Sequence, residues 1–270
     1  MKILIIKFRH IGDVLLSTPL VDNLKYYYPD STIDFALNKE CVDVLSFHPS
    51  INKTIEYDRS RIKKLGIIAQ LKEEIKFIIN IRNHYDMVIN LTEGDKGALL
   101  VLFSKAEIKL GFPIRKGILS KIKIFDYLGN DKKKQHTVEK DLQFINLLGK
   151  DINKKEVSIY WNNIINQEVN QILIDNNVEE FIHIHPVSRW MFKCWEDHRM
   201  AKIIDYLQQE KKLKVVITGA PIKKELDRIN KIISHCKTVP INLSAQLTLK
   251  HIACLSSKAK LFFGVDTAPM

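Results

Sequence analysis

Two groups of side chains in this sequence could do chemistry on a charged ligand. The first is Asp13, in KILIIKFRHIGDVLLSTP from Lys2 to Pro19, where an apolar run and a tight loop lead into a helical pattern. In an open α/β sheet ligands bind outside the carboxyl ends of the strands, so a carboxylate at this position faces a site. Asp13 also suits a helix N-cap, accepting backbone N–H groups at the positive end of the dipole, and both readings stand. The second group lies in three loops at expected strand ends in the second half. Ser188, Arg189 and Lys193 are donors suited to phosphate oxygens. Gly219 would let backbone approach a ligand, and Glu225 could accept from ribose hydroxyls. Asp266 and Thr267 fall where a helix N-terminus would hold a pyrophosphate or a sugar hydroxyl. Two donor loops and an acid suit a nucleotide diphosphate. Each residue also has a plainer role: Ser188 in a turn, Glu225 in a first helical turn, Asp266 as a cap.

These residues need strands that end where they stand. Ile3 to Ile6 is such a strand, and Gly12-Asp13 opens a helix. The single glycine there excludes a G-x-G-x-x-G dinucleotide fingerprint. Thr18 as a cap and Pro19 at the first helical position restart the helix to about Tyr28. Residues 32–37, 53–57 and 86–91 read as strands, and Ile67 to Ile81 carries apolar residues at helical spacing. His136 to Leu148 is a helix stopped by Gly149. In the second half, strands at 181–185, 213–218 and 260–264 alternate with helices at 196–209, 223–234 and 247–255. The pattern predicts an α/β fold with doubly wound parallel sheets. The polar stretch 150–156 marks a boundary, giving domains 1–160 and 161–270. The sequence stops at Pro269-Met270, where a covering helix should begin, so the second domain is expected to be incomplete.

Composition narrows the partners. With 270 residues, 46% of them hydrophobic, the chain can build two cores. Four cysteines lie far apart without a C-x-x-C pair, against a zinc site or a disulfide framework and in favour of a reducing cytoplasm. No signal peptide is evident at Met1, and no apolar run approaches the roughly 20 residues a membrane helix needs. A net charge of +11 points to nucleic acid, acidic lipid or a phosphorylated ligand. Between residues 96 and 134 ten basic residues (Lys96, Lys105, Lys109, Arg115, Lys116, Lys121, Lys123, Lys132, Lys133 and Lys134) face three acidic ones. That segment reads as an anion-binding patch or as a solvated excursion.

RHIGDVLLSTP, KGALLVLFSKAEIKLGF, HTVEKDL, HPVSRWMFKCW, VVITGAP and GVDTAPM follow one another in the order found in the glycosyltransferase family 9 heptosyltransferases. The chain resembles that family throughout, RHIGDVLLSTP being most similar to the heptosyltransferase III type. The resemblance implies a GT-B fold, two Rossmann-like domains facing across a cleft, with the acceptor on the first and ADP-heptose on the second. It implies an inverting transfer that needs neither metal nor cofactor, with Asp13 as general base. Arg9, His10, Gly12 and Lys96 would meet the acceptor. Ser188, Lys193, Gly219, Glu225, Leu247, Asp266 and Thr267 would hold the donor, Leu247 near the adenine. The acceptor would be a phosphorylated lipopolysaccharide core, and no nucleic acid partner is expected. The enzyme would be cytoplasmic, touching the anionic inner membrane peripherally through the basic segment. The family continues beyond GVDTAPM with a histidine. Rival readings are a GT-B transferase or epimerase using another nucleotide sugar, and a non-catalytic basic binding protein.

Overall fold

A computed structural model describes the chain except for Asn83, Lys116, Lys132, Lys133, Lys134, Ala268, Met270 and the Ile118 side chain. Part of the basic segment therefore lies outside the described residues. The chain divides into two compact units, Met1–Tyr160 and Trp161–Met270.

The first unit opens with β1 (Lys2–Lys7), followed by α1 (Ile11–Leu15), α2 (Thr18–Tyr27) and β2 (Thr32–Asn38). Next come α3 (Val42–Leu45), β3 (Lys53–Tyr57), α4 (Arg59–Ile62) and α5 (Ile67–Ile81). The unit closes with β4 (Met87–Asn90), α6 (Asp95–Ser104), β5 (Ile108–Gly111), β6 (Tyr127–Leu128) and α7 (Thr137–Leu147). Among the described residues the strands form one parallel sheet in the order β3-β2-β1-β4-β5-β6. Ile3, Leu4, Ile5 and Ile6 are each fully buried because a parallel sheet is covered on both faces. The order changes direction at β1, with β2 on one side and β4 on the other, so the loop after β1 sits at the switch point.

The restart of the helix differs from expectation. Thr18 lies inside α2 and Ser17 holds the cap position. Thr18 Oγ1 instead donates to Leu15 O and accepts from Ser158 N–H, joining α1 to the segment that leaves the unit. Two of the longer helices escape the sequence pattern altogether: α6, whose ALLVLF run is apolar without a polar face, and the helix Asn163–Asp175 of the second unit.

The second unit contains α8 (Asn163–Asp175), β7 (Phe181–His185), α9 (Asp197–Gln209), β8 (Lys214–Ile217), α10 (Lys223–Ser234), β9 (Ile241–Asn242), α11 (Leu249–Lys258) and β10 (Leu261–Gly264). Its parallel sheet runs β10-β7-β8-β9. One core cluster joins β7 and β8 to Met200 and Ile204 of α9 and to Ile229 and Ile232 of α10. A second joins Phe181 and Val216 to Val169 of α8 and to Cys254 and Leu255 of α11. β7 and β8 are thus covered on both faces while β10 is only partly buried, and the loops after β7, β8 and β10 emerge at one edge.

Candidate active site

In the first unit Asp13 is the third residue of α1, and His10 holds the cap position. Asp13 Oδ2 accepts the His10 backbone N–H at 3.3 Å. The bond reaches back across the first turn, as the acidic member of a capping box does, and at that length it holds the carboxylate only weakly. Burial, with a smaller contribution from the Asp13 charge, pushes up the Cys41 thiol and the Asp141 carboxyl. Gly12 leaves the approach open, since an added Cβ would meet nothing within 4 Å. Arg9 and His10 are exposed, while the Arg9 carbonyl accepts from Asn38 Nδ2 at 3.2 Å and so fixes the loop.

Behind this loop Lys7 and Asp141 form a buried ion pair between β1 and α7. Burial pushes the Asp141 carboxyl up to about 6, against the pull of the Lys7 ammonium. Lys96 is turned into the unit. Its ammonium lies over the Tyr57 ring, 5.2 Å from the Phe8 centroid and 3.2 Å from Glu74 Oε1. Burial lowers its pKa to about 8, with Glu74 opposing. Arg115 and Lys140 both pair with Asp131. Several cations near the expected patch are therefore partnered within the fold, while Lys105, Lys121 and Lys123 remain exposed.

The second unit brings two expected donor residues into contact. Lys193 Nζ lies 2.5 Å from Asp266 Oδ2, joining the loops that follow β7 and β10. Ser188 is buried, its Oγ accepting the Trp190 N–H at 3.3 Å. Glu225 is buried in the first turn of α10, where Oε2 accepts the Ala220 N–H at 3.1 Å and ties the loop after β8 to the helix. Gly219 has a packing reason of its own: an added Cβ would sit 2.4 Å from Ile229 Cδ1. Leu247 is partly buried against the cluster around α8 and α11. Thr267 follows Asp266 in a bend after β10.

Three features were not foreseen. Arg228 of α10 holds the Lys193 loop from beneath, with Nε on Asp197 Oδ1 at 2.8 Å and Nη2 on Trp195 O at 2.8 Å. Ser244 Oγ, beside Gly219, is buried without a hydrogen-bond partner among the described residues. His183 and His185, on one face of β7, share Thr218 Oγ1 at 2.7 and 2.8 Å. Ser256 Oγ donates to Ile252 O, so it accepts from His183 Nδ1 at 2.8 Å. His183 Nε2 must then accept from Thr218, whose oxygen accepts from His185 Nδ1. Burial lowers the pKa of His183 to about 3 and of His185 to about 4. The pattern that could have exposed this network is FIHIH, which puts two polar rings on the buried side of a strand. Among the described residues no three His, Cys, Asp or Glu side chains gather to hold a metal ion.

Each unit has a parallel sheet with helices on it and charged loops at the carboxyl ends of its strands, and solved glycosyltransferases share this fold. A glycosyltransferase family 9 structure from Veillonella parvula matches at a TM-score of 0.84 and 21% identity, covering 100% of this chain and 76% of that one. The Escherichia coli heptosyltransferase WaaC with ADP-2-deoxy-2-fluoro heptose matches at 0.74 and 20% identity, covering 99% and 84%. The family model of glycosyltransferase family 9 (heptosyltransferase) matches residues 75–270. The chain belongs to that family. Lipopolysaccharide heptosyltransferase 3 of Escherichia coli K12 is 33% identical over 270 residues, which is 97% of this chain and 76% of the relative.

Proposed function

We propose that this glycosyltransferase moves heptose from ADP-heptose to the phosphorylated inner core of lipopolysaccharide, with inversion at the anomeric carbon and without a metal. The name of the 33% identical relative supports the substrate class. The contact between Lys193 and Asp266 carries the donor assignment, because it gathers a cation and a carboxylate from two loops at one sheet edge.

In this reading the donor diphosphate takes Lys193 from Asp266, and Asp266 with Thr267 turns to the sugar hydroxyls. Ser188 would add a hydroxyl to the phosphates. Glu225, which accepts from Ala220 N–H, would orient the ribose, and Leu247 would pack near the adenine. Gly219 would keep that wall thin. Lys193 and helix N-terminal amides then stabilise the charge that grows on the leaving diphosphate.

Asp13 supplies the base. One displacement with inversion needs one carboxylate to take the proton of the attacking hydroxyl. The half-buried Asp13, weakly held by His10 and open above Gly12, meets that need. Arg9 and His10 are exposed beside it and suit acceptor phosphates. Lys96 would reach the acceptor only by leaving Glu74 and Tyr57, so its part is to shape the loop unless the acceptor draws it out. The work would be done on the cytoplasmic side of the membrane, and no helix among the described residues is long and apolar enough to cross one.

The test is a thermal-shift series with ADP-heptose, ADP-glucose and UDP-N-acetylglucosamine, followed by transfer to a defined core oligosaccharide. A ligand that binds only the folded form raises its melting temperature by mass action. ADP-heptose should give the largest shift and a product of inverted anomeric configuration. A larger shift with the uridine nucleotide would favour another nucleotide-sugar enzyme.

A further inference from the structure

The helix α5 carries its apolar residues on one broad arc, of which only part packs. Phe77, Ile78 and Ile81 pack onto the sheet core, and Glu74 accepts from the Tyr57 hydroxyl and from Lys96. These contacts fix which side of the helix faces inward. Ile67, Leu71, Ile75 and Ile79 recur every fourth residue, with Ile68 beside them, and all five are between 48% and 86% exposed. At about 100° per residue they form one oblique stripe along the helix that borders the side that packs and stays open to solvent. Scattered exposed aliphatics are ordinary, but a continuous stripe of five marks an interaction surface.

The charges around the stripe say what it meets. Lys63 and Lys64 stand in the turn before α5, and Lys72 and Lys76 lie on the helix beside the stripe. All four are exposed and have no carboxylate partner among the described residues. The two acids of the helix are already engaged, Glu73 with Arg61 and Glu74 with Lys96. The surface is therefore aliphatic in the middle and cationic at its border. A second copy of the chain would set these lysines against their own counterparts across a two-fold axis. Nucleic acid would favour stacking aromatics, which the stripe does not contain.

We infer that α5 is an interfacial helix that docks the first unit on an anionic bilayer. Ile67, Ile68, Leu71, Ile75 and Ile79 enter the boundary of the acyl chains, and Lys63, Lys64, Lys72 and Lys76 bind the headgroup phosphates. This surface is separate from residues 96–134, where the sequence places the membrane contact. It does not depend on which sugar the enzyme transfers.

Flotation of the 270-residue chain with phosphatidylethanolamine–phosphatidylglycerol vesicles, and with phosphatidylcholine vesicles, tests the inference. One variant carries Ile68→Gln, Leu71→Gln and Ile75→Gln; another carries glutamine at the four lysine positions. The wild type should bind the anionic vesicles, less so as salt rises, and bind the neutral ones weakly. Each variant should lose about tenfold or more of the partitioning. Both should keep the wild-type melting temperature, since the substituted side chains face solvent. The shift given by ADP-heptose should also be unchanged, which separates this surface from the donor site. Absence of wild-type binding, or undiminished binding of the triple variant, overturns the inference. So does a concentration-dependent dimer that the triple variant abolishes, because the stripe would then belong to a second copy.

Discussion

Lys193 Nζ and Asp266 Oδ2 lie 2.5 Å apart although 73 positions separate them in the chain. Parallel pairing of β7 with β10 makes this possible, since it brings the loops after His185 and Gly264 to the same sheet edge. The pair is substantially exposed, with side-chain accessibilities of 31% and 73%. A pair of this kind contributes about 0–1 kcal/mol, so an anionic ligand can open it at little cost. In the proposed mechanism it keeps both groups at the donor site until the diphosphate arrives.

Lys193→Ala should therefore change melting by no more than a degree or two while weakening ADP-heptose binding and slowing the chemical step. In the proposed mechanism the ammonium faces charge that grows in the transition state, so kcat should fall as well as affinity. Calorimetry and single-turnover kinetics measure the two effects. Unchanged values in both would place the donor phosphates elsewhere.

Arg228 holds the same loop through Asp197, Trp195 and Met191, and in the proposed site it would not touch the donor. Its guanidinium spans Asp197 Oδ1, Trp195 O and Met191 O, a set that one ammonium cannot reproduce. Arg228→Lys should cost about 1–3 kcal/mol of stability. It should also lower kcat/KM by roughly ten- to hundredfold through misplacement of Lys193. If Arg228→Lys lowered stability but left kcat/KM intact, the guanidinium would be a structural staple only.

The histidine network gives the second unit a pH dependence of definite sign. His183 and His185 take up protons less readily folded than unfolded, because both rings are buried and a charge on His185 would also oppose one on His183. The unfolded chain binds more protons below pH 6.5, so stability is full above that value and is lost as pH falls toward 4. At pH 5 each histidine should cost about 2 kcal/mol relative to pH 7. Asp141 works the other way, because its carboxyl is raised and its burial cost eases on protonation. Urea unfolding at pH 7, 6 and 5 should show the net loss, with a shallower slope in His185→Asn. Equal stability at pH 7 and 5 would mean that the two rings are not held neutral.

The fold was legible wherever one period ruled a segment. Lys223 to Ser234 read as a helix for that reason, and Ile3 to Ile6 read as a buried strand because its apolar run is short and unbroken. By contrast α6 has no polar face to mark its period. Apolar spacing shows that residues 67–81 form a helix, but not which apolar residues face inward, which depends on Glu74 reaching Tyr57. For the site, strand ends point to Ser188, Lys193 and Asp266. Arg228 stays hidden because two of its acceptors are backbone carbonyls, which any residue supplies. Gly219 shows the opposite limit, since the side chain that explains it, Ile229, lies ten residues further on in α10.

The central claim, transfer from ADP-heptose with Asp13 as base, is tested most directly by single-turnover transfer with wild type and Asp13→Asn. Asparagine can still accept the His10 N–H through its side-chain oxygen, so folding and ADP-heptose affinity should be unchanged. It cannot take a proton, and the rate should fall by about 10²–10⁴-fold. A variant that folds, binds donor and transfers heptose within about tenfold of wild type would contradict the account, since that corresponds to only about 1.4 kcal/mol of barrier.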